Sequence, residues 1–227
     1  MYKTFANKYS IEQATLMWTS IAYNDCRQFA FFDGTYWRHP KEYFSDVDKF
    51  YAYICQNRIS DVHVKSLQDN GGREWVVDVD IKELDENKLK LKIDIAKQVF
   101  EHFFGDSVTR IMYSGNRGIH VWLRIDRFRM SANKDTRSKY YKTFVEPKVI
   151  SLNKIEPGSF IYSIKSVLEN KDVKHRIDQL YRDVGDIKQT LHEFWPAVDR
   201  HVFCNLNQIR VPYSYNFKGK KFSALLI

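Results

Sequence analysis

Cysteine is scarce in this 227-residue chain: there are three, at Cys26, Cys55 and Cys204, and none forms a CxxC pair. Three distant thiols cannot build a disulfide framework, and they point to a reducing, intracellular compartment. They cannot assemble a zinc cluster either, so structural zinc is not expected. No stretch approaches ~20 uninterrupted apolar residues, which excludes a membrane-spanning helix. The opening MYKTFANKYS has no apolar run of the signal-peptide kind. Internal repeats and low-complexity segments are missing. No GxxxxGK[ST] occurs, so P-loop nucleotide chemistry is excluded, and no HExxH supports a zinc hydrolase. His39, His63, His102, His175, His192 and His201 show no metal-ligand spacing and read as surface or satisfied core residues.

Apolar material is plentiful. The chain is 44% hydrophobic and 15% aromatic, enough for a packed core rather than disorder. Lys and Arg outnumber the acids by 36 to 28, a net charge of +8 that favours polyanions such as nucleic acid. The pattern predicts a helix over 10–24, with Ser10 and Gln13 at capping-box spacing. A hairpin turns on Asp33-Gly34, between Phe29–Phe32 and Thr35–Arg38. Further helices are expected over 45–56, opened by Ser45, and over 86–104, stopped by Gly105, with Leu89, Ala96, Val99, Phe100 and Phe103 inward. Strands are expected at 74–81, 108–113 and 119–125. Residues 131–195 read as mostly helical, broken near Pro147, Pro157 and Gly158, and 199–227 as strands and loops. Strands and helices mix without βαβ alternation, which implies an α+β fold on a mixed or antiparallel sheet. The chain reads as one domain over 1–227, with 131–195 as a helical insertion.

Two segments carry chemistry. In Trp75-Val-Val-Asp-Val-Asp-Ile81, strand alternation puts Asp78 and Asp80 on one face and Val77, Val79 and Ile81 on the other. Their Cα atoms then stand roughly 6.5 Å apart. Carboxylates at that spacing can share one divalent cation or bridge two about 3.5–4 Å apart. An oxygen-only set favours Mg²⁺ or Mn²⁺. A solvated polar strand face has the same pattern. The second segment is Ser114-Gly-Asn-Arg-Gly-Ile-His120. Its glycines let backbone N–H groups approach a phosphate, and Ser114, Arg117 and His120 add polar and charged donors. A plain hairpin explains the glycines but not those three together.

In order along the chain stand Asp78-Val-Asp80, Ser114 to His120, Asp199, and Ile209-Arg-Val-Pro-Tyr-Ser214. This ordered set resembles the small, catalytic subunits of archaeal and eukaryotic-type primases. The wording over roughly 75–215 is most similar to the primases of baculoviruses and related large insect viruses. The resemblance implies the archaeo-eukaryotic primase fold, with Asp78, Asp80 and Asp199 as catalytic, metal-binding carboxylates for two divalent ions, Mg²⁺ or Mn²⁺. Ser114, Arg117 and His120 would hold the nucleotide's phosphates, Arg210 would match the basic residue of the last motif, and Arg38 could add a contact. It implies synthesis of RNA primers from ribonucleoside triphosphates on a single-stranded DNA template. It also implies a non-catalytic accessory subunit and location in the host nucleus. Two departures stand out: no zinc-binding Cys/His cluster, and Asn216 where the last motif often ends in His. A deoxynucleotide-using primase-polymerase and a non-catalytic single-strand-binding protein are the competing readings. Template contacts are sought in Arg124–Arg129, Lys134–Lys142 and Lys218–Lys221, with Phe128, Tyr140 and Tyr141 as stacking groups.

Overall fold

A computed structural model describes residues 7–182 and 184–227. The chain runs through α1 (Ile11–Thr19), β1 (Phe29–Phe32), β2 (Trp37–Arg38), α2 (Val47–Gln56), β3 (Asp61–Val64) and β4 (Val76–Asp80). It continues through α3 (Glu86–Phe104), β5 (Val108–Tyr113), β6 (Gly118–Leu123), α4 (Lys134–Tyr141), α5 (Phe160–Leu168), α6 (Lys171–Leu180) and α7 (Ile187–Glu193). It closes with α8 (Arg200–Cys204), β7 (Ile209–Arg210), β8 (Tyr215–Asn216), β9 (Lys221–Phe222) and β10 (Ala224–Leu225). Two antiparallel four-stranded sheets result, ordered β2-β1-β3-β7 and β10-β5-β6-β4, with β8 and β9 as a small separate pair. The expected α+β class is what the chain adopts. No helix among the described residues is long and apolar enough to cross a membrane.

Several elements differ from the sequence expectation for local reasons. The first helix stops at Thr19, not residue 24, because side chains capture its last carbonyls. The Ser20 hydroxyl donates to Met17 O and the Asn24 amide to Trp18 O. Asp46, not Ser45, caps α2, accepting the Lys49 N–H at 2.9 Å. Gly105 ends α3 as anticipated, but Leu91 and Ile95 take the inward positions with Ala96, Val99 and Phe100, and Leu89 is only partly buried. The strand expected to reach 125 ends at Leu123, where a turn closes on Arg124 O. The tail contains a short helix, α8, that was expected as strand or loop; the Asp199 side chain caps it.

The sheets divide the core. Val77, Val79, Ile111, Ile119, Val121 and Leu123 cover one face of the second sheet and pack under α3, α5, α6 and α8. Its other face sends Val76, Met112 and Trp122 into a second cluster, shared with α1, α2, and Phe29, Phe31, Val62 and Val64 of the first sheet. Along β4, side chains on this face therefore pass from the buried Val76 to the half-buried Asp78 to the exposed Asp80.

Three arginines are fully buried around the entrance to β4: Arg27, Arg73 and Arg137. Arg27 lies 3.1 Å from Glu74 and also donates to the carbonyls of Ala22 and Lys65. Arg137 donates to the carbonyls of Arg73, Met130 and Ala132 and lies over the Trp75 ring. Arg73 donates to the carbonyls of Glu74, Val202 and Asn205. These guanidiniums use their planar forks to gather carbonyls from loops that cannot pair with one another. Breaking one pair leaves a charge without a partner. Arg27→Met should cost about 3–5 kcal/mol by stranding Glu74, while a double change of Arg27 and Glu74 to Met should recover most of it. Denaturant unfolding of both variants checks this, and equal losses would contradict it.

Candidate active site

The β4–β6 ladder sets Asp78 opposite His120 and Asp80 opposite Gly118. The two acids share the face away from Val77 and Val79, as alternation requires. Asp78 Oδ1 stands 3.5 Å from His120 Nε2, and Asp80 Oδ2 3.2 Å from Arg117 Nη2. The pairing tolerates no side chain at Gly118: a Cβ there would sit 1.7 Å from Val79 O. Asp199 arrives from over a hundred residues away. Its N–H donates to Asp78 O at 2.8 Å, and Val198 bridges to Val79. Its carboxylate accepts the Val202 N–H, and Arg73 holds the carbonyls of Val202 and Asn205 on the same helix. Asp199 is thus docked on the main chain of the strand that carries Asp78 and Asp80.

The loop after β5 carries Ser114 and Arg117. Ser114 is buried; its N–H donates to Gly118 O, and its carbonyl accepts from the Asn216 amide at 3.0 Å. Asn216 Oδ1 in turn accepts the N–H groups of Lys218 and Gly219. Gly115 adopts φ +81° beneath this turn, and a Cβ on Gly219 would meet Gly115 O at 1.9 Å. Asn216 therefore ties the β8–β9 hairpin onto the 114–118 loop. Arg210 lies on β7 opposite His63, with Nη1 2.6 Å from Asp61 Oδ1. Its charge reaches both Asp78 and His120.

Arg38 is not brought to this pocket. Its register partner is Phe31, which is paired with Val62, and that face packs toward α2. His63 and Arg210 occupy the opposite face, and Arg38 instead holds Asp33 at 2.8 Å. Much of the expected template surface is also structural. Arg137 is buried, Phe128 and Tyr140 pack on Trp75, Tyr141 donates to Val198 O, and Arg124 and Arg127 pair with Asp126 and Asp106. Conversely, Asp61 and Arg73 were not singled out in the sequence, and His63, expected as a surface or satisfied core residue, has a buried Nε2 without a partner. The alternation Asp61-Val62-His63-Val64 was the available signal for placing Asp61 and His63 on one face.

Burial dominates the electrostatics. It pushes the Asp78 carboxyl up to about 7, with Asp199 and then Asp80 adding like-charge repulsion. Burial, then Arg210 and Arg73, pulls His120 down to about 3. His120 is accordingly a neutral hydrogen-bonding group beside Asp78, not the cation of an ion pair. Among the described residues no group of three His, Cys, Asp or Glu side chains stands ready to hold a metal ion. Asp80 is turned to Arg117 and Asp199 to its helix cap.

Comparison with known proteins gives this constellation a family. The sequence profile of the DNA primase small subunit matches residues 77–223, a span holding every site residue named above except Arg38, Asp61, His63 and Arg73. The chain is 43% identical over 220 residues to the DNA primase of Autographa californica nuclear polyhedrosis virus, covering 95% of this chain and 80% of that protein. It is 43% identical over 227 residues to late expression factor 1 of Orgyia pseudotsugata multicapsid polyhedrosis virus, covering 96% and 88%. The chain belongs to the DNA primase small-subunit family and is an enzyme of the nucleotidyltransferase class.

A raised carboxyl pKa has a definite sign in stability. The folded state holds the Asp78 proton more tightly than the unfolded chain, so stability falls as pH rises from about 4 through about 7. Asp78→Asn removes that penalty. In metal-free buffer at pH 8 it should raise stability by on the order of 2 kcal/mol, or roughly 4–8 °C in Tm, and at pH 4 by almost nothing. Thermal unfolding at the two pH values checks this. A loss of stability at pH 8 would contradict it.

Proposed function

We propose that this primase-family enzyme builds short RNA primers on single-stranded DNA during viral DNA replication, with divalent cations held by Asp78, Asp80 and Asp199. The observation that carries the reading is the docking of Asp199 on the Asp78 backbone beside the Ser114–Gly118 loop. That contact sets the third acid against the strand that carries the other two, and this strand pairs with the one that leaves the 114–118 loop. The donor set fits a hard cation: all its side-chain ligands are oxygens, and burial with the neighbouring acids Asp199 and Asp80 raises the Asp78 carboxyl to about 7, a cost that a bound cation would offset. Mg²⁺ or Mn²⁺ bound there would lower the pKa of the primer 3′-hydroxyl and neutralise charge at the α-phosphate and leaving pyrophosphate.

The chain's own residues do the remaining work. Arg117 and Arg210 present fixed-charge forks to the β- and γ-phosphates. Ser114 and the neutral His120 donate hydrogen bonds without adding charge that would repel the cations. Arg117 exchanges Asp80 for phosphate when nucleotide enters. A non-catalytic accessory subunit and action in the host nucleus complete the proposal, on the strength of the resemblance to baculovirus primases.

Asp78→Ala and Asp80→Ala should each lower primer synthesis on unprimed circular single-stranded DNA at least a thousandfold while the fold is retained. Wild-type rates from either variant would remove the metal assignment. Ribonucleotides should be incorporated in preference to deoxynucleotides, and the reverse preference would mark a primase-polymerase. Template binding should weaken steeply between 50 and 200 mM salt, on the order of tenfold or more if a few phosphates are contacted. Salt-insensitive binding, read by fluorescence anisotropy, would count against a backbone-tracking groove.

A further inference from the structure

A row of side chains leads outward from Arg210 across the first sheet, and the chemistry above leaves it unused. Arg210 pairs with His63, and His63 pairs with Ala30. Phe32 pairs with Trp37, so Trp37, Phe32, His63 and Arg210 share one face of the sheet. Ala30, which pairs with His63, presents only a methyl on this face. The indole crosses it and reaches the imidazole, with ring centroids 4.6 Å apart. Phe32 is 5.3 Å from Trp37, and Phe217 5.4 Å from Phe32.

These rings are not the sheet's core. Phe29, Phe31, Val62 and Val64 fill that role on the other face, under α1 and α2. Trp37 remains 39% exposed and Phe217 45% exposed. Trp37 also stacks on His39, with ring centroids 6.5 Å apart, and the part of the indole left exposed lies on the sheet face that carries Arg210.

His63 supplies a separate observation. Its Nε2 is buried and has no hydrogen-bond partner, while Nδ1 is reached only distantly by Gln208, at 3.5 Å. A buried polar atom left unpaired costs about 1–3 kcal/mol, and such atoms in native proteins call for an explanation. Burial, with Arg210 and His120, holds the ring neutral, so it can donate or accept through a ring nitrogen. The imidazole that carries it lies 4.6 Å from the half-exposed indole, on the strand that flanks Arg210. Two strand-to-strand steps separate Arg210 from β1, roughly 10 Å. That is the order of length between phosphates and base in a nucleotide.

We propose that Trp37 and His63 form a nucleobase subsite, in which the indole face stacks on a base and His63 Nε2 makes a hydrogen bond to the same nucleotide. The proposal rests on the reading of Arg210 and the 114–120 loop as the phosphate pocket. The base belongs either to the incoming nucleotide or to the bound single strand, and the two sources separate by experiment.

The test uses the full chain and three probes: ATP, inorganic tripolyphosphate and a ten-nucleotide oligo(dT). Binding is read by tryptophan fluorescence and by anisotropy for wild type, Trp37→Ala, Trp37→Leu and Trp37→Phe. The site is half exposed on an edge strand, so these variants should keep the wild-type Tm; Trp37→Leu retains apolar volume in case alanine loosens the hairpin. Stacking contributes about 1–3 kcal/mol per base, so Ala and Leu should weaken binding of the stacked probe roughly 5- to 150-fold. Phe should restore most of it, and tripolyphosphate should bind all four proteins equally. Loss of ATP alone assigns the subsite to the incoming nucleotide, and loss of oligo(dT) alone assigns it to the strand. Unchanged affinity for both, or a parallel loss of tripolyphosphate, overturns the proposal. Failure of tripolyphosphate to bind the wild type would instead indict the phosphate pocket. Because binding is read without synthesis, a catalytically dead Asp78→Ala protein can report on Trp37 as well.

Discussion

The N–H of Asp199 donates to the carbonyl of Asp78, and on that main-chain contact the geometry of the acidic cluster depends. The two residues are far apart in sequence, so nothing local keeps them together. Their approach is over-determined instead. Val198 bridges to Val79, and Asp199 caps α8 through Val202. Arg73, three residues before β4, holds the carbonyls of Val202 and Asn205. A buried guanidinium bonded to three carbonyls costs desolvation, and its return is positional: it fixes a helix that carries a functional side chain against the strand that carries two others.

The same arrangement stores unfavourable electrostatics. Asp78 is half-buried among Asp199 and Asp80, the neutral His120 stands 3.5 Å away, and its carboxyl resists ionisation until about pH 7. The β-pairing of Asp78 with His120, enforced where Gly118 lies flat on Val79, prevents the acids from relaxing apart. Stability is lost here in exchange for a concentration of negative potential where a polar ligand is to be bound. Sites of this kind trade folding free energy for function.

Much of this was legible in the residues. Strand alternation put Asp78 and Asp80 on one face without any structure, and the glycines of the 114–118 loop announced a close backbone approach. The end of α3 at Gly105 followed from helix-capping chemistry. Other features were not legible, for physical reasons. The capture of Met17 and Trp18 carbonyls by Ser20 and Asn24 shortens α1, and such side-chain competition has no periodic signature. Arg38 carried a charge suited to the pocket, but register on a two-residue edge strand decided which face it took. His63 read as a surface or satisfied core histidine, because alternation shows which face a residue takes but not that its ring nitrogen is left without a partner. Arg124–Arg129 and Lys134–Lys142 read as basic surface, yet Arg137 is an internal strut and Phe128 packs on Trp75, while Tyr140 touches Trp75 and stays exposed.

The Arg117–Asp80 contact has a thermodynamic consequence on the proposed reading. Before any ligand arrives, the pocket supplies its own counter-charge: an arginine intended for phosphate neutralises an acid intended for metal. Neither ligand then meets a free partner. Phosphate must detach Arg117, which liberates Asp80, and a cation on Asp80 liberates Arg117. Each ligand thus does part of the other's work of entry, so cation and triphosphate bind with positive linkage, and the resting enzyme discriminates against either one alone.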